Sequence, residues 1–177
     1  MNKKFTISLI LSIFLISNVA FSQSEGIQKG DKELTFNGFI YSITGMDSKN
    51  VSGNFSFTYG SYLSKSFLFG YGPGLNVSYS DSEEKVTADL NAKVFMKILF
   101  TTQKKAIPYL NLQYYQYSFK TEDDQSFLDF GYLQAGLGLQ SFINEFLAVD
   151  MQLNYGVSVK ETSIGLLQFS IGLNYIF

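Results

Sequence analysis

The chain has 177 residues, enough for one domain with a sizeable core, and a formal net charge of −2 at pH 7. Hydrophobic residues make up 46% and charged residues 16%, well under the ~25% charged residues of an average soluble protein. Cys and His are both absent and every basic residue is Lys, which excludes a disulfide framework, a thiol nucleophile, a Cys-based metal site and Arg-fork phosphate recognition, and removes the commonest general base; no basic stripe marks a nucleic-acid partner, and no cofactor is implied.

At the N-terminus, Lys3 and Lys4 precede an apolar run over 5–19, followed by Ala20, Phe21 and Ser22. A charged start, an apolar stretch and small residues at −3 (Ala20) and −1 (Ser22) read as a cleavable secretory signal peptide over 1–22. A single anchor helix is the alternative, but the run falls short of the ~20 residues a span requires. No Cys follows that could carry a lipid. Residues 23–31 read as a short polar lead-in.

From residue 32 onward the pattern has period two, the signature of strands rather than helices. Strands are predicted over 32–43, 51–62, 67–80, 85–99, 107–119, 128–141, 146–158 and 164–177. The last is typical: Leu167, Phe169, Ile171, Leu173, Tyr175 and Phe177 alternate with Gln168, Ser170, Gly172 and Asn174. The breaks carry turn residues such as Ser64-Lys65-Ser66 and Asp81-Ser82-Glu83-Glu84. Pro73, lying among Gly70, Gly72 and Gly74, predicts a bulge or bend, because proline donates nothing to a ladder.

Alternation alone fits two opposite objects. A soluble barrel turns its apolar face inward; a membrane barrel turns it toward lipid. The polar face decides. In the last two strands it reads Ala148, Asp150, Gln152, Asn154, Gly156, Ser158 and then Leu166, Gln168, Ser170, Gly172, Asn174, Ile176, with a single charge. A face turned to water usually carries about 25–35% charged residues; small and amide side chains suit a narrow lumen. Tyr59, Phe67, Phe69, Tyr79, Phe100, Tyr175 and Phe177 near strand ends fit girdles at the two bilayer interfaces. Open edges are not tolerated in lipid. The expected fold class is therefore all-β: an eight-stranded antiparallel up-and-down transmembrane β-barrel over 32–177, with both termini on the periplasmic side and outer connections at Gly45, Asp81, Glu122 and Lys160.

The C-terminal stretch, with Ser170, Gly172, Tyr175 and Phe177 in the polar, glycine, hydrophobic and terminal-aromatic slots, resembles the outer-membrane β-signal. The resemblance implies that the barrel-assembly machinery reads this strand. The whole mature chain resembles the small outer-membrane β-barrel family of the OmpX/OmpW-like kind common in Bacteroidota, through 59–70 and 135–148, each a strand, an aromatic-ended tight turn and a strand. This implies a place in the Gram-negative outer membrane, with membrane lipid and lipopolysaccharide as surroundings. It implies no catalytic residue.

Asp89, Lys93 and Lys97 share the polar face of one strand, and Asp150 lies on that of another. The expectation is a salt-bridge plug in the lumen that keeps buried charges paired; an ion path or ligand anchor is the alternative. Tyr62, Leu68, Phe95, Leu99 and Ile176 fall in the inward phase near the periplasmic end and predict an apolar plug. The acidic clusters Asp81, Glu83, Glu84 and Glu122, Asp123, Asp124 read as solvated loop tips, or as cation-bridged contacts to lipopolysaccharide phosphates. The function expected is structural or surface-interacting and non-catalytic; the alternative is a small channel or conduit for small or apolar solutes.

Overall fold

The computed structural model describes residues 26–44, 49–80, 84–103, 105–119, 131–160 and 165–177, of which 39–44 and 49–50 are described by backbone alone. The signal-peptide region with Ala20 and Ser22, and most of the two acidic clusters, lie outside the described residues. Eight strands follow in order: β1 (Lys32–Thr44), β2 (Lys49–Ser64), β3 (Phe67–Ser80), β4 (Lys85–Leu99), β5 (Ala106–Gln116), β6 (Gly131–Phe142), β7 (Leu147–Ser158) and β8 (Gly165–Ile176). Each pairs antiparallel with its sequence neighbour, and β8 closes on β1 with Glu33 opposite Ile176, so the sheet is a closed barrel.

Period two in the sequence becomes a strict in–out alternation. Leu167, Phe169, Ile171, Leu173 and Tyr175 of β8 point out, Leu167 with 69% of its surface exposed, while Ser170, Gly172, Asn174 and Ile176 are buried inside. Leu90, Leu133, Leu137 and Leu153 continue the outer apolar band, and Asn54, Asn76, Asn91, Asn111, Gln113, Gln134 and Asn154 fill the lumen. The molecule is thus polar within and apolar without. Aromatic rings gather at the end that carries residues 26–31 and Phe177, where Tyr175 stacks on Phe177 at 5.6 Å and tilts against Phe146 at 6.3 Å. This end, called the lower end, carries residues 26–31, the turn at 65–66 after β2 and the connections after β4 and β6.

Two expectations are corrected. Pro73 causes no register shift: β3 pairs with β4 without interruption from Phe67↔Ile98 to Ser80↔Lys85, and its pairing with β2 lapses only between Ser56↔Gly74 and Tyr59↔Tyr71 before resuming in the same register. The ring removes one N–H from the ladder, and the β4 register runs on through Pro73↔Ala92. The irregularity sits instead between Tyr62 and Ser64, at the turn. The fifth strand ends at Gln116 rather than 119. Beyond it the chain turns inward: the Tyr117 carbonyl accepts a bond from Asn76 Nδ2 of β3 at 2.8 Å, and the Ser118 carbonyl accepts one from Gln116 Nε2 at 2.7 Å.

Candidate functional site

The lumen is built in layers. At the lower mouth, Tyr62, Leu68, Phe95, Leu99 and Ile176 come together in one buried apolar cluster, joined by Ile27, Ile107, Tyr109, Phe142 and Ala148. Large rings fit there because glycines face them. Tyr109 lies opposite Gly138, and Phe95 opposite Gly70; a Cβ at either glycine would collide with the facing ring. Ile27 comes from the lead-in, which caps the mouth: its N–H donates to the Thr102 carbonyl at 3.1 Å, and the Gly30 N–H to the Tyr62 carbonyl at 2.9 Å. The polar lead-in read from sequence thus hides one apolar side chain with a sealing role.

Directly against this cluster sits an ionic layer. Lys97 Nζ on β4 lies 2.7 Å from Glu33 Oε1 on β1 and 3.0 Å from Asp150 Oδ2 on β7, with all three side chains about 1% exposed. Across the ladders Glu33 is paired with Gly60, and Asp150 with Gly172. Every carboxylate oxygen is satisfied. Glu33 Oε1 also accepts from Thr35, and Oε2 from Tyr62 OH at 2.8 Å and Gln140 Nε2 at 2.7 Å. Asp150 Oδ1 accepts from Tyr109 OH at 2.5 Å, and Oδ2 from Gln152 and Asn174. The ammonium also lies 4.8 Å from the centre of the Tyr109 ring, a favourable cation–π placement. Charge-assisted bonds of this kind are roughly twice as strong as neutral ones.

Of the residues singled out from sequence, the structure joins Lys97 and Asp150 directly. Lys93 stands two inward steps higher, beyond Phe95, donating to Asn37 Oδ1 at 3.3 Å, with its ammonium 5.8 Å from the Phe95 ring. Asp89 lies higher still on the inward phase of β4, opposite Asn76, and outside the ionic layer. Glu33, Tyr109 and Gln140 are missing from the sequence reading. The signal was present: Glu33, Thr35 and Asn37 alternate with Leu34 and Phe36, which puts Glu33 in the inward phase. Ser170 and Gly172 of the C-terminal motif face the lumen, and Tyr175 and Phe177 face outward.

Above the ionic layer the amides bond one another. Gln113 donates to Gln134, Ser56 to Asn37, and Asn111 Nδ2 to Asn154 Oδ1 at 3.0 Å. Asn54 Nδ2 reaches Asn76 Oδ1 and the Tyr115 hydroxyl at 2.5 and 2.8 Å. The space between Thr35, Asn37, Thr58, Lys93, Phe95, Lys97, Gln113 and Gln152 admits no water-sized sphere. An ion crossing this layer must part both ion pairs of Lys97 and then pass the apolar cluster. Among the described residues this layer of the lumen is filled by side chains.

No family model and no curated protein matches the chain in sequence. Among solved structures, it is similar to the N-terminal β-barrel domain of Pseudomonas aeruginosa OprF, with a TM-score of 0.58 and 14% identity over 86% of this chain and 100% of that one. The outer membrane protein Ail of Yersinia pestis, determined in a phospholipid bilayer nanodisc, matches with a TM-score of 0.47 and 14% identity over 84% of this chain and 100% of that one. The likeness to the OprF domain shows the fold: a small closed eight-stranded barrel.

Proposed function

We propose that this chain is an integral outer-membrane β-barrel with a structural or surface-interaction role, no catalytic activity and a closed lumen. The observation that carries this reading is the sealed lower half of the lumen inside a wall whose outer face is apolar. Water does not tolerate a continuous apolar band of this extent, and lipid requires it. Closure of the sheet leaves no full-length open edge, the condition for crossing a bilayer with strands. The composition, without His or Cys, supports a non-catalytic role. In this reading the end carrying residues 26–31 and Phe177 is periplasmic. The chain is exported through its signal peptide and assembled by machinery that reads Ser170, Gly172, Tyr175 and Phe177, in the manner of OmpX/OmpW-like barrels of Bacteroidota.

The test is single-channel recording of the refolded chain in a planar bilayer, with folding first verified by a heat-dependent shift in gel mobility. A silent bilayer is expected. Discrete, reproducible conductance steps would overturn the closed lumen and favour the channel or conduit. A chain that shows no heat-dependent shift and stays outside the bilayer would overturn the membrane reading itself.

A further inference from the structure

Charge is divided between the two ends of the barrel. Among the described residues, the lower end carries Lys29 in the lead-in, Lys32 at the start of β1, Lys65 in the turn after β2 and Lys105 before β5, against Asp31 and Glu145. The connections at the opposite end carry in sequence the acids Asp81, Glu83, Glu84, Glu122, Asp123 and Asp124. Lys29, Lys65 and Lys105 are exposed. Lys32 lies in the outward phase next to the inward Glu33, and its backbone exchanges two hydrogen bonds with Phe177, at 2.7 and 3.0 Å. Its ammonium donates to a neutral group, Ser61 Oγ, at 2.9 Å. Asp31 is engaged locally, its Oδ2 accepting from the Gln28 N–H at 2.9 Å. The same rim exposes the large apolar side chains Leu63, Phe100, Ile143, Phe146 and Phe177. Ammonium groups set among outward apolar side chains suit the level of lipid headgroups, where a lysine stem lies along apolar surface and its tip reaches the polar layer.

We propose that this lower rim docks on the anionic phospholipid headgroups of the leaflet it meets, with Lys29, Lys32, Lys65 and Lys105 taking the phosphates and the apolar side chains between them meeting the acyl chains. The proposal rests on the membrane placement above, since the rim then lies at headgroup depth. Charge complementarity selects the partner. A lysine ammonium offers three donors and no acceptor, so it favours a lipid of net negative charge over a zwitterion whose own cationic group offsets its phosphate. The acids at the opposite end repel the same lipid, which makes the attraction one-sided. One basic residue near an anionic membrane surface is worth about a five-fold preference, and the effect fades within a Debye length, about 8 Å at physiological salt.

The test uses the full chain refolded into phosphatidylcholine vesicles that carry a trace of phosphatidylglycerol spin-labelled in one acyl chain or, in parallel, phosphatidylcholine labelled in the same way. Electron paramagnetic resonance then reads the fraction of each label held against the protein. Barrels inserted in either direction present the rim to one leaflet, so sidedness does not blur the result. Averaged over a lipid shell whose other leaflet meets no such rim, phosphatidylglycerol should be preferred about two-fold at low salt. The preference should fall to parity at about 1 M salt, where the Debye length is about 3 Å. The variant combining Lys29→Gln, Lys32→Gln, Lys65→Gln and Lys105→Gln should show parity at both salts with its heat-dependent gel shift intact. If that variant fails to fold, Lys29→Gln with Lys65→Gln, both at exposed positions, should still lower the preference. Parity for the parent chain, a preference that survives 1 M salt, or one that the lysine variants leave unchanged would each overturn the docking. A chain that does not enter the vesicles overturns the membrane reading with it, whereas an inserted barrel without preference overturns the rim alone.

Discussion

Replacing Lys97 by Met tests the ionic layer most sharply. The change keeps the length of the side chain and removes the one ammonium that bonds both Glu33 and Asp150, at 2.7 and 3.0 Å, where all three side chains are about 1% exposed. Two carboxylates are then left in a tight lumen with only neutral donors around them. Removing one partner of a buried pair costs about 3–5 kcal/mol, because the remaining charge is stranded. Lys93→Met, which removes a single longer bond to Asn37, should cost about 1 kcal/mol or less. The triple variant Glu33→Gln, Lys97→Met, Asp150→Asn removes the charge together with its counter-charges and should recover most of the loss, since replacing a whole buried ion cluster is often close to neutral. The assay is urea unfolding of the chain refolded into lipid vesicles, read as loss of the folded band in heat-shift electrophoresis. A Lys97→Met barrel within about 1 kcal/mol of the parent, or a triple variant as unstable as the single one, would refute the reasoning.

Gly138→Ala places a methyl group against the Tyr109 ring and should destabilise by about 1–3 kcal/mol through overpacking, measured by the same urea titration; a neutral result would mean that the ring is free to move aside. Leu137→Lys sets a charge on the outer band and should cost about 2–4 kcal/mol in vesicles if that face meets the bilayer midplane, whereas a change near zero would contradict the membrane placement. Ile27→Asp should detach the cap, seen as faster amide exchange at Gly30, whose N–H is bonded to the Tyr62 carbonyl, with the barrel strands keeping their protection; unchanged exchange at Gly30 would show that the lead-in is held by other contacts.

The strands were legible because period two survives in every one of them, and the inward phase of the plug residues Tyr62, Leu68, Phe95, Leu99 and Ile176 followed from counting along the alternation. What alternation does not encode is who meets whom across the lumen. Lys97 meets Glu33 and Asp150 because strand stagger brings non-neighbouring strands to one height, and stagger is a property of the closed sheet. Glu33 was readable as inward-facing but not as a partner. Ile27 was opaque for a different reason: a single apolar residue among Gly26, Gln28, Lys29 and Gly30 has no periodicity to announce it. The early end of β5 was hidden because Tyr117 and Phe119 keep the alternation going after the backbone has left the ladder to bond Asn76 and Gln116.

The ion triad has a consequence for the order in which the barrel comes into being. Its two bonds join residues 64 and 53 positions apart, on strands that never pair. No hairpin, and no growing sheet that has yet to curl, can make them. Contacts of such long sequence separation form late, and interactions absent from the folding barrier act almost wholly on the rate of coming apart. The triad is therefore a latch: it does little to hasten closure, and it holds the closed barrel against reopening once the first and last strands have met.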